Sequence, residues 1–315
     1  MQRFNGAYQR VLAAGRLTFG LMTPLARAPG EMADIDMERR AATLADRLGF
    51  EAVWTRDVPL AIPQGSDGEA ALADDPFVWL AVLAAVTGQA AIGTAAAVLP
   101  LRHPLHLAKS AMSLDRVSGG RFILGLGSGD REAEFTAFGQ VAAERGERFR
   151  QHWEVLRSAL ATTPGERQRM FDATGGYDLA SPPVARIPML AVGSARQTLQ
   201  WIAANADGWA SYHRDEVRQQ GRIHLWKSAL DERASGYAKP FVQSLHLDLQ
   251  EDPAAPAVAF GLGMRTGRDA LVEYLRRLQD MGTAHVIVHV ARGQRSALDV
   301  VEEIGREVVH ALRAS

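Results

Sequence analysis

A chain of 315 residues with 47% hydrophobic side chains can build a large core, and a formal net charge of −1 gives no global field to recruit nucleic acid or an anionic membrane. The absence of cysteine excludes disulfides, thiolate catalysis and Cys-ligated zinc or iron–sulfur centres. No apolar run reaches spanning length, and the N-terminal stretch lacks the apolar region of a signal peptide, so a soluble cytoplasmic protein is predicted.

In chain order, residues 17–22 read as a first strand, closed by Thr23 and Pro24. Met37, Ala41, Leu44, Ala45 and Leu48 mark one face of a helix that Gly49 stops. Residues 52–54 form a second strand ending at Thr55-Arg56-Asp57, and a polar, glycine-containing loop at 60–74 is long enough to mark a functional insertion. Asp75 and Pro76 open a helix that runs through Val86.

Residues 93–129 then read as strand, loop, helix, turn, strand. Pro104 sits where a helix tolerates proline, and Leu107, Ala111 and Leu114 repeat at helical spacing. Ser118-Gly119-Gly120 stops that helix, and Phe122-Ile123-Leu124 begins an apolar run suited to a strand buried on both faces. It ends in a glycine-rich turn at 125–129 that allows close backbone approach to a ligand or serves as a plain structural turn.

An irregular segment follows, then an amphipathic helix near 144–161 and a second long loop at 162–186. Strands are predicted at 188–192, 208–211, 241–249 and 286–290, with helices at 199–204, 215–234, 267–279 and 297–312. His246 and Asp248 alternate within the 241–249 strand and weaken its apolar pattern. Eight strands alternating with eight helices predict an α/β fold, a single (β/α)8 TIM-like barrel domain over residues 1–315 with long loops at its C-terminal face. Catalytic loops in such a barrel follow the strand ends, which singles out Thr23, Arg56 with Asp57, residues 95–100, 128–130 and 193–198, and Tyr212.

The turn Gly193-Ser194-Ala195-Arg196-Gln197-Thr198 opens a helix, where free N–H groups, two hydroxyls and an arginine suit an anion; it also reads as an ordinary N-cap. The 125–129 turn lacks the last glycine of a dinucleotide fingerprint, since Asp130 stands there. The nine histidines show no metal-ligand spacing, although His285 and His289 share one strand face. Arg56 and Asp57 read as a catalytic pair or as a plain ion pair.

The segment GTAAAVLPLRHPLHLAKSAMSLDRVSGGRFILGLGSGD at 93–130 resembles the bacterial luciferase-like family of flavin-dependent oxidoreductases. GFEAVWTRDVP at 49–59, RFRQHWEVLRSAL at 148–160 and VGSARQT with NADGW at 192–209 support it. The resemblance implies a barrel that binds reduced FMN, or the related deazaflavin coenzyme, at its C-terminal mouth. It places Ala95 and Ala96, joined by a cis peptide, beside the isoalloxazine ring, and Ser128, Gly129 and Asp130 near the ring and its chain. Ser194, Gln197 and Thr198 would hold the phosphate, with Gly193 and Arg196 in the same turn and Thr23 facing the site from the first strand. In the light-emitting members a catalytic histidine follows an acidic residue at the end of the second strand, and a basic residue stands at the position of Ser128. Here Val58 follows Asp57, so aldehyde-dependent light is not expected, and Arg56 and Asp57 remain the catalytic candidates. The implied activity is a monooxygenase that uses reduced FMN and oxygen on a small-molecule substrate. A deazaflavin-dependent hydride transfer and a non-catalytic flavin-binding protein are the alternatives. No nicotinamide fingerprint is visible, so a separate flavin reductase is expected as partner, and the family implies a homodimer.

Overall fold

The computed structural model describes residues 4–25, 31–62, 74–181, 183–234 and 237–313. Eight parallel strands form its centre: β1 Thr18–Thr23, β2 Ala52–Thr55, β3 Ala91–Thr94, β4 Phe122–Gly127, β5 Met189–Val192, β6 Gly208–Tyr212, β7 Phe241–Leu249 and β8 Thr283–His289. Each pairs with the next, and β8 pairs with both β7 and β1, so the sheet closes into a barrel without free edges among these strands. All eight run in parallel, so every strand ends at the same mouth.

The strands are buried on both faces, which explains their continuous apolar runs. Outward side chains pack under α1 Ile35–Arg47, α2 Pro76–Val86, α3 Pro104–Val117, α5 Arg145–Ala159, α7 Leu199–Asn205, α8 Glu216–Arg233, α9 Arg268–Met281 and α10 Ala297–Glu303. Two helix starts follow from acidic N-caps. Asp34 Oδ1 accepts the Asp36 and Met37 N–H groups at 2.9 and 3.2 Å, and Asp75 Oδ1 accepts those of Phe77 and Val78 at 2.9 and 3.3 Å.

Trp54 fills the barrel interior because glycines leave room for it. A Cβ on Gly20 would stand 2.3 Å from the Trp54 Nε1, and one on Gly93, its register partner, 2.4 Å from the indole ring. The N-terminal segment packs at the opposite end, where Ala7, Val11 and Leu12 join the apolar cluster of the barrel interior.

Three stretches differ from the sequence expectation. The irregular segment after Gly129 contains a short helix, α4 Glu132–Ala137, and the loop at 162–186 contains α6 Gln168–Thr174. A hairpin, Val258–Phe260 with Gly263–Thr266, adds a strand parallel to the end of β7. The insertion predicted at 60–74 lies largely outside the described residues.

Candidate active site

The strand ends bring Thr23, Arg56, Asp57, Ala95, Ala96, Ser128 and Ser194 to one end of the barrel, although their side chains are differently employed. Thr23 is fully buried, its hydroxyl donating to the Trp54 carbonyl at 2.8 Å and accepting the Trp79 indole N–H at 3.0 Å. It supports the β1–β2 corner beneath the mouth.

Asp57 does not pair with Arg56. Its carboxylate takes both Nε and Nη2 of Arg102, at 2.7 and 2.8 Å, and the Val98 N–H at 3.0 Å. Burial alone would lower the Arg102 pKa, but its bonds to Asp57 and Asp75 hold it above the ordinary value. The Asp57 N–H also donates to the Ala96 carbonyl at 3.2 Å, and the Ala95 N–H to Thr55 at 2.8 Å. Asp57 therefore fixes the path of residues 95–98.

That segment forms the floor of the mouth. The Ala95–Ala96 peptide is cis, as the resemblance implied. Both methyl groups are partly exposed, and a Cβ on Gly127 would lie 3.2 Å from the Ala96 Cβ. No side chain longer than methyl rises from these three positions, so a flat ring can lie against them. Ser128 is nearly covered and Asp130 is exposed; burial, then the charge of Asp130, raises the Tyr212 pKa, with Arg56 opposing.

The 193–198 turn follows β5. Gly193, Ala195 and Arg196 all have left-handed backbones, at φ 66°, 47° and 55°. Among the described residues the N–H groups of Ser194 and Ala195 meet no acceptor. Gln197 is fully occupied: its Nε2 donates to the Gly146 carbonyl at 2.8 Å, and its Oε1 accepts two Arg150 bonds at 3.0 Å. It ties the turn to the first turn of α5. Thr198 Oγ1 accepts the Trp201 N–H at 3.2 Å, so the N-cap and phosphate readings coexist at this residue. Arg196 is exposed beside Gly146.

Sequence reasoning named Arg56 but missed the histidines that fill the mouth from the β7–β8 side. Arg56 continues the inward face of β2 after Ala52 and Trp54. Burial, then the charges of Arg131 and Arg292, lower its pKa, with Tyr212 opposing. On the β7–β8 side, His246 and His289 stack with ring centroids 4.5 Å apart, and His289 Nε2 lies 2.9 Å from Ser244 Oγ. Burial, then the charges of His246, Arg56 and Arg292, hold the His289 pKa well below its ordinary value. Below them, Trp54 Nε1 donates to His285 Nε2 at 3.0 Å, so His285 carries its proton on Nδ1, 2.7 Å from Thr18 Oγ1. Burial takes that imidazole down to about 3 and keeps it neutral. The polar alternation of β7 and the shared face of His285 and His289 were the legible signals for this side.

A family model described as "Luciferase-like monooxygenase" matches residues 17–305. The chain belongs to the luciferase-like monooxygenase family. Among its relatives, the 4-hydroxyprotoasukamycin monooxygenase of Streptomyces nodosus subsp. asukaensis is 29% identical over 149 residues, 46% of this chain and 38% of that protein. The F420-dependent glucose-6-phosphate dehydrogenase of Kineococcus radiotolerans is 30% identical over 190 residues, 58% of this chain and 52% of that protein. A solved F420-dependent secondary alcohol dehydrogenase superposes with a TM-score of 0.72 over 95% of this chain and 99% of its own, at 14% identity, a likeness of fold. Luciferase-like members thus include both monooxygenases and F420-dependent dehydrogenases, and this chain is an oxidoreductase of that family. Among its described residues no helix is long and apolar enough to cross a membrane.

Proposed function

We propose that the protein transfers a hydride between a small organic substrate and a deazaflavin coenzyme held at the barrel mouth. The observation that carries the reading is a ring-sized floor at Ala95, Ala96 and Gly127 at the same barrel mouth as His289, which burial keeps neutral. The residues fit such a coenzyme: the floor takes the ring, and the unpaired N–H groups of Ser194 and Ala195, with the Thr198 hydroxyl and Arg196, suit a phosphate. Bound there, the coenzyme supplies a two-electron hydride carrier. His289, positioned by Ser244, accepts the hydroxyl proton of a substrate alcohol as its C–H bond gives up hydride, and returns that proton in the reverse direction. Asp57 and Arg102 act by holding the floor, and Gln197 by holding the phosphate turn.

A second reading, FMN with oxygen as a monooxygenase, is supported by the family's description and the asukaensis relative. It requires reduced flavin from a separate reductase, whereas the first does not. In either reading the protein acts as a homodimer. The deciding experiment mixes the chain with deazaflavin coenzyme and with FMN, each oxidised and reduced, and follows the bound chromophore with and without oxygen over a panel of alcohols and carbonyl compounds. Substrate-dependent bleaching of bound deazaflavin without oxygen, lost in His289→Ala, is the expected result. Binding of FMN alone, with substrate-dependent oxygen uptake, would replace this reading with the second.

A further inference from the structure

Arg56 differs from the half-buried arginines that meet a carboxylate or, like Arg121 and Arg157, a backbone carbonyl. Arg102 is paired with Asp57 and Asp75, Arg131 with Glu134, Arg167 with Asp178 and Arg186 with Asp207. Among the described residues Arg56 makes neither a hydrogen bond nor an ion pair, and its Nε is buried without an acceptor. The neighbouring carboxylate, Asp57, is turned away and spent on Arg102 and Val98. The charges that act most strongly on Arg56 are of its own sign, Arg131 from beyond β4 and Arg292 from beyond β8.

A shielded cation without a counterion is costly, and a fold that needed only packing at this position would be served better by an apolar side chain. The inward direction of β2 aims the guanidinium over the floor, one residue before the N–H that binds the Ala96 carbonyl. We infer that the substrate carries an oxyanion, a carboxylate or phosphate ester, which the guanidinium of Arg56 grips at the end of β2. This rests on the mouth being the active site. A planar fork of donors suits either group in bidentate fashion. The coenzyme's own phosphate is assigned elsewhere: the 193–198 turn follows β5, and β3 and β4 separate it from β2 around the ring. Neutralising Arg56 with a bound oxyanion also relieves one of the charges that depress His289, so the anion that anchors the substrate makes its base stronger.

The test uses the full chain and three variants, Arg56→Gln, Arg56→Lys and Thr198→Ala. Melting temperature is followed during titration with malonate and with inorganic phosphate, chloride holding the ionic strength constant. FMN, riboflavin and deazaflavin coenzyme affinities are measured in parallel by fluorescence quenching. Wild type and Thr198→Ala are expected to be stabilised by malonate, with at least tenfold weaker binding in Arg56→Gln and an intermediate loss in Arg56→Lys. Without any anion Arg56→Gln should melt at the same temperature as wild type or higher, because it discards an uncompensated charge. FMN affinity should change less than twofold in Arg56→Gln.

Equal malonate binding in wild type and Arg56→Gln overturns the proposal. So does a lower melting temperature for Arg56→Gln in the absence of anion, which would make Arg56 a structural residue. A tenfold loss of FMN but not riboflavin in Arg56→Gln would assign the anion to the coenzyme and also overturn it. Arg56-dependent malonate binding in a chain that binds neither FMN nor deazaflavin would sink the hydride-transfer reading and leave the anion site standing.

Discussion

Glu38 and Asp57 are both carboxylates placed close to the mouth, and they differ in what meets the charge. Asp57 is matched by a guanidinium and a backbone N–H, whereas Glu38, fully buried on α1, receives only the Leu25 N–H on Oε1 and has no partner on Oε2 among the described residues. Burial pushes the Glu38 pKa up to about 7; the Leu25 bond opposes the rise and the charge of Asp34 adds to it. An unfolded glutamate titrates near 4.5, so between about pH 4.5 and 7 the folded chain holds more protons than the unfolded one. The stability from the neutral acid is therefore complete below pH 4.5 and is lost as the pH rises through 7. Glu38→Gln keeps an acceptor for Leu25 and cannot ionise. Relative to wild type it should gain about 3 kcal/mol at pH 8 and almost nothing at pH 4, from the pKa difference at 1.36 kcal/mol per unit. Denaturant titrations at the two pH values measure this. A gain of the same size at both would show that the Glu38 pKa is the same in the folded and unfolded chain.

At the scale of elements, the 193–198 turn carries two duties that pull on one side chain. Thr198 caps α7 through Oγ1, and its hydroxyl proton is left for a phosphate. Thr198→Ala should cost about 1 kcal/mol of stability from the cap. It should also weaken FMN by about 1.5–3 kcal/mol through the lost charge-assisted bond, with little change for riboflavin, which lacks phosphate. Equal losses for both ligands in a binding titration would place the phosphate away from this turn. The eight-fold alternation was legible because most strands are continuous apolar runs, β7 with its polar alternation excepted, and the neighbouring helices are periodic. The turns were legible through glycine and hydroxyl residues. Helices α4 and α6 were not, because each is short and lies in a stretch punctuated by glycine or proline, where local pattern gives no warning. The partnership of Asp57 with Arg102 spans 45 residues, and the convergence of Arg56, Arg131, Tyr212, His289 and Arg292 depends on barrel closure. A one-dimensional pattern carries neither, so Arg56-Asp57 read as a pair when its members serve opposite sides of the chain.

For the whole molecule, the unexplained surface is the outer face of α2. Its outward positions are Val78, Ala81, Val82 and Ala85, with no charge among them, and Val78 keeps 65% of its surface exposed. Ile35 and Val117 extend this apolar face across α1 and α3. A helix that is apolar on all sides is normally covered, and the proposed homodimer would cover it by applying the same face to itself about a two-fold axis. The proposed homodimer is expected to use this surface. Because the contact is isologous, each substitution enters twice, and Val78→Glu brings two like charges together in a desolvated interface. Light scattering on a sizing column should give wild type at twice the 34.2 kDa of one chain, and Val78→Glu together with Ala81→Glu at the mass of one. The barrel of that variant should stay folded by circular dichroism, since both positions point away from its core. A wild-type protein that runs as one chain at tens of micromolar would refute the dimer. A variant that stays paired would move the contact to another face.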